Sequence, residues 1–216
     1  MNTFRPTKDH SLLSGFVPEA DQGGEGAARI GHGILDSLRV QRFNEILQRI
    51  SPNAPTLIAG QIAAAARRLL YADDDVRRRG AASIARRLAR LSELESLGSD
   101  LRFGIDTAIA SRIRTLIAYV DQVDDLIPDT VPGVGQLDDA ILVDLLLQDL
   151  GPLLAEYADF CSFRRQQAEQ QGLSVDEVTI DCDDWIAARR REFESARDQR
   201  RTHYVQPFTD GGFHIG

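Results

Sequence analysis

Lysine is nearly missing from this chain: Lys8 is the only one among 25 basic residues, the rest being arginine. Arginine codons are GC-rich, so the bias reads as genomic composition before it reads as function. Aromatic residues make up 6% of 216 positions against 43% hydrophobic, with alanine and leucine prominent. That mix suits helices and not a β-sandwich. The net charge of −8 argues against general affinity for nucleic acid. Two cysteines, Cys161 and Cys182, make no disulfide framework, and the default is a reducing cytoplasm. Residues 1 to 26 are polar and lack the apolar core of a signal peptide. No uninterrupted apolar run approaches the roughly 20 residues that a membrane span needs.

Other shortages concern chemistry. There is no phosphate-binding glycine loop, no Gly-x-Ser-x-Gly elbow and no His-Glu-x-x-His. His10, His32, His203 and His214 are scattered and fit no zinc spacing. Neither cysteine has an identifiable base partner, and Cys182 sits among Asp181, Asp183 and Asp184, which dull a thiolate. The commonest routes to an enzyme are closed.

What is present is helical periodicity and one unusual corner. The pattern predicts helices over about 27–50, 56–72 and 74–97, separated by Ser51-Pro52-Asn53-Ala54-Pro55 and started by Asp73, Asp74 and Asp75. A further helix carries Ile109, Ile113, Leu116, Ile117 and Val120 on one face. Pro128 should end it, having no amide hydrogen and a ring that clashes with the preceding turn. The next helix should start near Leu137 and run to about Gln171 with a bend at Gly151-Pro152. Ser174 and Glu177 fit a capping box, and a last helix runs from about Asp183 to His203. The expected architecture is an all-α helical bundle. Residues 27–205 form one helical domain, and tails 1–26 and 206–216 are mobile.

Asp125-Leu126-Ile127-Pro128-Asp129-Thr130-Val131-Pro132-Gly133-Val134-Gly135-Gln136-Leu137-Asp138-Asp139 is the corner, a Pro/Gly/Asp-rich elbow between two apolar helices. Pro128, Pro132 and Gly135 limit its backbone states. Asp138 and Asp139 fall in a helix first turn, where carboxylates are favoured. The expected core around it is Leu116, Ile117, Val120, Leu126, Val131, Val134, Leu137, Ile141, Leu142, Leu145 and Leu146.

The elbow resembles the YkvA-like family, a bacterial helical domain of unknown function. Its motif is roughly Pro-x-Asp-Leu-Ile-Pro-Asp-x-x-Pro-x-x-Gly-x-x-Asp-Asp. The match runs through Asp125, Leu126, Ile127, Pro128, Asp129, Pro132, Gly135, Asp138 and Asp139, with Val123 where the leading proline stands. The likeness covers about 106–150 only. It implies a bacterial helical hairpin and no assigned reaction. Some relatives of that kind associate with membranes.

Charge is segregated. From Thr115 to Phe163 there is no basic residue against nine Asp and one Glu. Two site candidates follow. Asp125, Asp129, Asp138 and Asp139 could converge across the elbow and hold Mg²⁺, Mn²⁺ or Ca²⁺ through hard oxygen ligands. The bland reading gives them helix-start and turn roles. Arg77, Arg78, Arg79, Arg86, Arg87 and Arg90 could present a basic face to an anionic partner, although they spread over at least two helix faces. The leading expectation is a non-catalytic interaction or structural module that binds another protein. The alternatives are a divalent-metal domain or metal-dependent enzyme at the elbow, and a peripheral membrane protein.

Overall fold

A computed structural model describes residues 29–30, 33–122, 125–128 and 131–204, with side chains 33–34 and 201–204 outside that set. The tails at 1–26 and 206–216, and Asp129, lie outside it too. Its described residues form two compact units, 29–101 with 105–156 and 102–104 with 157–204. The fold is all-α apart from one short ladder. Among the described residues no helix is long and apolar enough to cross a membrane.

The first unit opens with β1 (Arg29–Ile30) and β2 (Gly33–Ile34), an antiparallel pair of two residues each. The periodicity predicts a helix from about residue 27, but the described residues 29–30 and 33–34 are strand and the helix begins only at Ser37. Gly31 and Gly33 each cost a helix about 1 kcal/mol, and Asp36 offers a better start. Its Oδ1 accepts from the Leu38 amide at 3.1 Å, and α1 (Ser37–Ile50) begins there. α2 (Ala59–Leu70) follows the Pro-rich break. α3 (Asp74–Leu88) is capped by Asp73, whose Oδ1 accepts from the Val76 amide at 2.8 Å.

The expected helix over 74–97 is two helices, because α4 (Leu91–Ser99) restarts after Ala89-Arg90. The break serves two neighbours at once: α3 packs on the later helix at 137–149 while α4 packs on the helix at 107–120. Leu94 and Leu97 are thereby fully buried.

α5 (Thr107–Val120) is capped by Asp106 and ends eight residues before Pro128. The Asp121 amide closes it on the Ile117 carbonyl, so proline is not the terminator. α6 (Leu137–Asp149) follows the elbow, and it is apolar on nearly every side. Such a helix belongs in a core. It packs against α1, α3 and α5, and Leu137, Ile141, Leu142, Leu145 and Leu146 are buried as expected, together with Val143 and Leu147. Leu126 and Val134 are buried too, whereas Ile117, Val120 and Val131 are only half-buried. On α5 the buried stripe is Ile113, Leu116 and Tyr119. Arg112 ties the end of α1 to α6, donating to the Ile50 carbonyl at 2.5 Å and to Asp149 at 2.6 Å.

α7 (Gly151–Gln171) is a separate helix, not an extension of α6. Pro152 sits in its first turn, where a missing amide hydrogen costs nothing. Gly172 ends it with φ +67. The Leu173 amide reaches the Ala168 carbonyl at 3.0 Å and the Gly172 amide the Glu169 carbonyl at 3.3 Å, the paired bonds of a Schellman end.

The second unit takes the rest of α7 and α8 (Cys182–Tyr204). Phe103, Tyr157, Phe160 and Trp185 cluster with centroids 5.1–6.4 Å apart. Asp159 accepts from Trp185 Nε1 at 3.0 Å and from Arg189 at 2.6 and 2.8 Å. The Ser174–Glu177 bonds form at 2.7 and 2.8 Å, yet 175–177 is a turn and no helix follows it directly.

Candidate metal centre

The elbow returns the chain on itself. The Val131 amide bonds the Pro128 carbonyl at 2.9 Å, the Gly135 amide bonds the Val131 carbonyl at 2.9 Å, and the Leu137 amide bonds the Val134 carbonyl at 3.0 Å. These turns bring Asp125 against the first turn of α6. One carboxylate oxygen each of Asp125, Asp138 and Asp139 lies within 4.8 Å of the other two. The three residues are 5%, 0% and 1% exposed.

Three of the four aspartates read from the sequence therefore converge. Asp129 lies outside the described residues. Asp138 and Asp139 occupy a helix first turn as expected, but they face the core and not water.

Tyr119 completes the centre. Its hydroxyl donates to Asp138 Oδ2 at 2.8 Å and accepts from the Leu126 amide at 3.3 Å. The Ile127 amide adds a third contact, to Asp138 Oδ2 at 3.2 Å. Asp138 Oδ1 is buried and accepts no hydrogen bond from the described residues. Burial, then the charge of Asp125, pushes the Asp138 carboxyl up from 3.8 to about 7, while the Tyr119 bond opposes that rise. Burial and the Asp138 charge push the Tyr119 phenol well above its ordinary range, so it stays a proton donor. Comparison with family models, with curated proteins and with solved structures finds no match. The chemistry of this chain thus rests on its own residues.

Sequence reasoning missed Tyr119. The available signal was its position: Tyr119 lies three residues past Leu116 and six past Ile113, on the same helical stripe.

The arginines of α3 and its end sort by contact. Arg87 is buried and its Nε bonds Asp144 Oδ1 at 2.9 Å, so it ties α3 to α6. Its Nη1 also donates to Ser83 Oγ at 2.6 Å. Arg77 pairs with Asp74 at 3.5 Å, Arg78 with Asp75, and Arg90 with Glu93 at 3.0 Å. Arg79 and Arg86 are exposed. These side chains form no single stripe.

Proposed function

We propose that the first unit is a divalent-cation-binding domain without catalysis. Asp125, Asp138 and Asp139 would hold one Mg²⁺, Mn²⁺ or Ca²⁺ and fasten the elbow to α6. The observation that carries this reading is the trio of buried carboxylates whose oxygens lie within 4.8 Å, one of them, Asp138 Oδ1, buried with no donor. Like charges in an apolar site repel and cannot all stay ionised. A hard cation resolves that conflict and accepts oxygen ligands of this type. The burial of all three residues supports a structural ion and leaves little room for a substrate at the metal. The elbow's likeness to the YkvA-like motif supports kinship in the same sense, since Asp125, Asp138 and Asp139 are motif positions.

The test is a thermal melt in EDTA and then with Mg²⁺, Mn²⁺, Ca²⁺ and Zn²⁺ in turn. A cation that binds only the folded state at a hundred times its Kd adds about 2.7 kcal/mol. One hard cation should raise the Tm, and Asp138→Asn or Asp139→Asn should remove that rise. A Tm that no cation moves would refute the reading.

A further inference from the structure

Against this centre, with which it shares Asp125 and Tyr119, α1 forms one wall of an open cavity of about 300 Å³. Asp125, Tyr119 and Leu126 close its inner side, and Arg39, Arg42 and Arg49 project from α1. Positions 39, 42, 46 and 49 recur at three- and four-residue spacing, so one helix face carries all three guanidinium groups.

The charges lining this cavity differ in how they are used. Asp36 caps α1 through the Leu38 amide, and Glu45 accepts from Gln41 Nε2 at 3.0 Å. Arg39 Nη1 donates to the Asp125 carbonyl at 2.9 Å, which anchors its guanidinium at the inner end. Arg42 and Arg49 have no hydrogen-bond or ion-pair partner among the described residues. Their donors are uncommitted at the rim of a concave site in which Asp36 and Glu45 are engaged and Asp125 is buried at the inner end. Guanidinium forks match the geometry of phosphate oxygens. The cavity sits at the small end of ligand sites, which fits a phosphate on a short stem. Phe43, Leu38 and Ile46 supply an apolar side for such a stem.

We propose that this cavity binds a small phosphate monoester, with Arg42 and Arg49 gripping the phosphate and Arg39, bonded to the Asp125 carbonyl, forming part of the inner end. The group could reach it on a soluble metabolite-sized ester or on a lipid headgroup. Asp125 belongs to both sites, but the grip assigned here is made by Arg42 and Arg49, so its test is run in EDTA, where the cation reading plays no part.

Isothermal titration with glycerol 3-phosphate, and co-sedimentation with phosphatidylcholine vesicles containing phosphatidic acid, are measured on the full chain. Glycerol and pure phosphatidylcholine are the blanks. Binding in either arm, weakened at least tenfold by Arg42→Gln/Arg49→Gln and kept by Arg79→Gln/Arg86→Gln, is the expected result. The titration arm identifies a soluble ester and the vesicle arm alone a headgroup. All four arginines are exposed, so both variants should fold, and unchanged circular dichroism checks this. No binding in both arms, or equal weakening by the two variants, would overturn the proposal.

Discussion

Two aspartates six residues apart on α6 have opposite fates. Asp144 meets Arg87 at 2.9 Å, a cation delivered by α3, and Gln148 Nε2 bonds its second oxygen at 2.9 Å. Asp138 meets a phenol and an amide, with two more buried carboxylates beside it. Both sit in the same core, yet one is neutralised by its own chain and the other is not. The lesson is that an acidic helix start is no measure of solvation. What decides is whether the neighbouring element brings a positive charge.

Asp138→Asn tests this contrast most strongly. The carboxyl has an ordinary value of 3.8 and stands at about 7 in the folded protein. The unfolded chain therefore gives up this proton first. Stability from this group is full below about pH 4, falls as pH climbs, and its loss is complete above about pH 7. The rise corresponds to about 4 kcal/mol. In EDTA, denaturation curves should show wild type losing that much between pH 4 and 8, with the asparagine variant nearly flat and more stable at pH 8. A saturating hard cation should reverse the order at pH 8, since ionised carboxylates are what it binds. Parallel pH profiles for the two proteins would collapse the comparison.

Arg87→Met attacks the other half. It strands the Asp144 charge in a site where that side chain is only 14% exposed. Breaking one partner of a buried pair costs about 3 kcal/mol or more. The double variant Arg87→Met/Asp144→Leu should recover most of this loss, because an apolar pair of similar volume replaces a desolvated one. Urea denaturation of the single and double variants measures both. A single variant as stable as wild type would show that Asp144 reaches water.

How far the sequence carried can be read from the same elements. Apolar spacing and aspartate caps placed the helices, because Asp73 and the Ser51–Pro55 break act locally. The helix split at Ala89-Arg90 was not legible, since it follows from α3 and α4 packing on different partners. The elbow motif pointed to Asp125, Asp138 and Asp139, but their direction was hidden. First-turn aspartates usually face solvent, and only the burial of α6 on every side turns them inward. Arg87 was grouped with surface arginines for the same reason: charge runs show composition and not facing. Tyr119 carried no polar pattern at all.

Tyr119→Phe sharpens the electrostatic half at smaller amplitude. The hydroxyl both donates to Asp138 and accepts from the Leu126 amide. Its removal leaves two buried groups short of a partner, at about 1–3 kcal/mol. The Tyr119 bond holds the Asp138 carboxyl down, so its midpoint should move above about 7 in the variant. Carbonyl-region infrared or carbon NMR titration of Asp138 reads that direction. A midpoint that moves down would mean that the phenol is not its donor.

Gly133→Ala gives the smallest effect and isolates backbone from charge. Gly133 has φ +82, a region that L side chains rarely adopt, and an added Cβ would meet nothing within 4 Å. The cost is then purely conformational, about 1 kcal/mol. Because no titrating group is touched, the loss should be equal at pH 4 and pH 8 and unaffected by EDTA. The Asp138 variant should differ between those conditions. If the alanine loss did vary with pH, the elbow's turn and its carboxylates would be one coupled device. The contrast between Asp138 and Asp144 would then belong to the loop as much as to the helix that carries them.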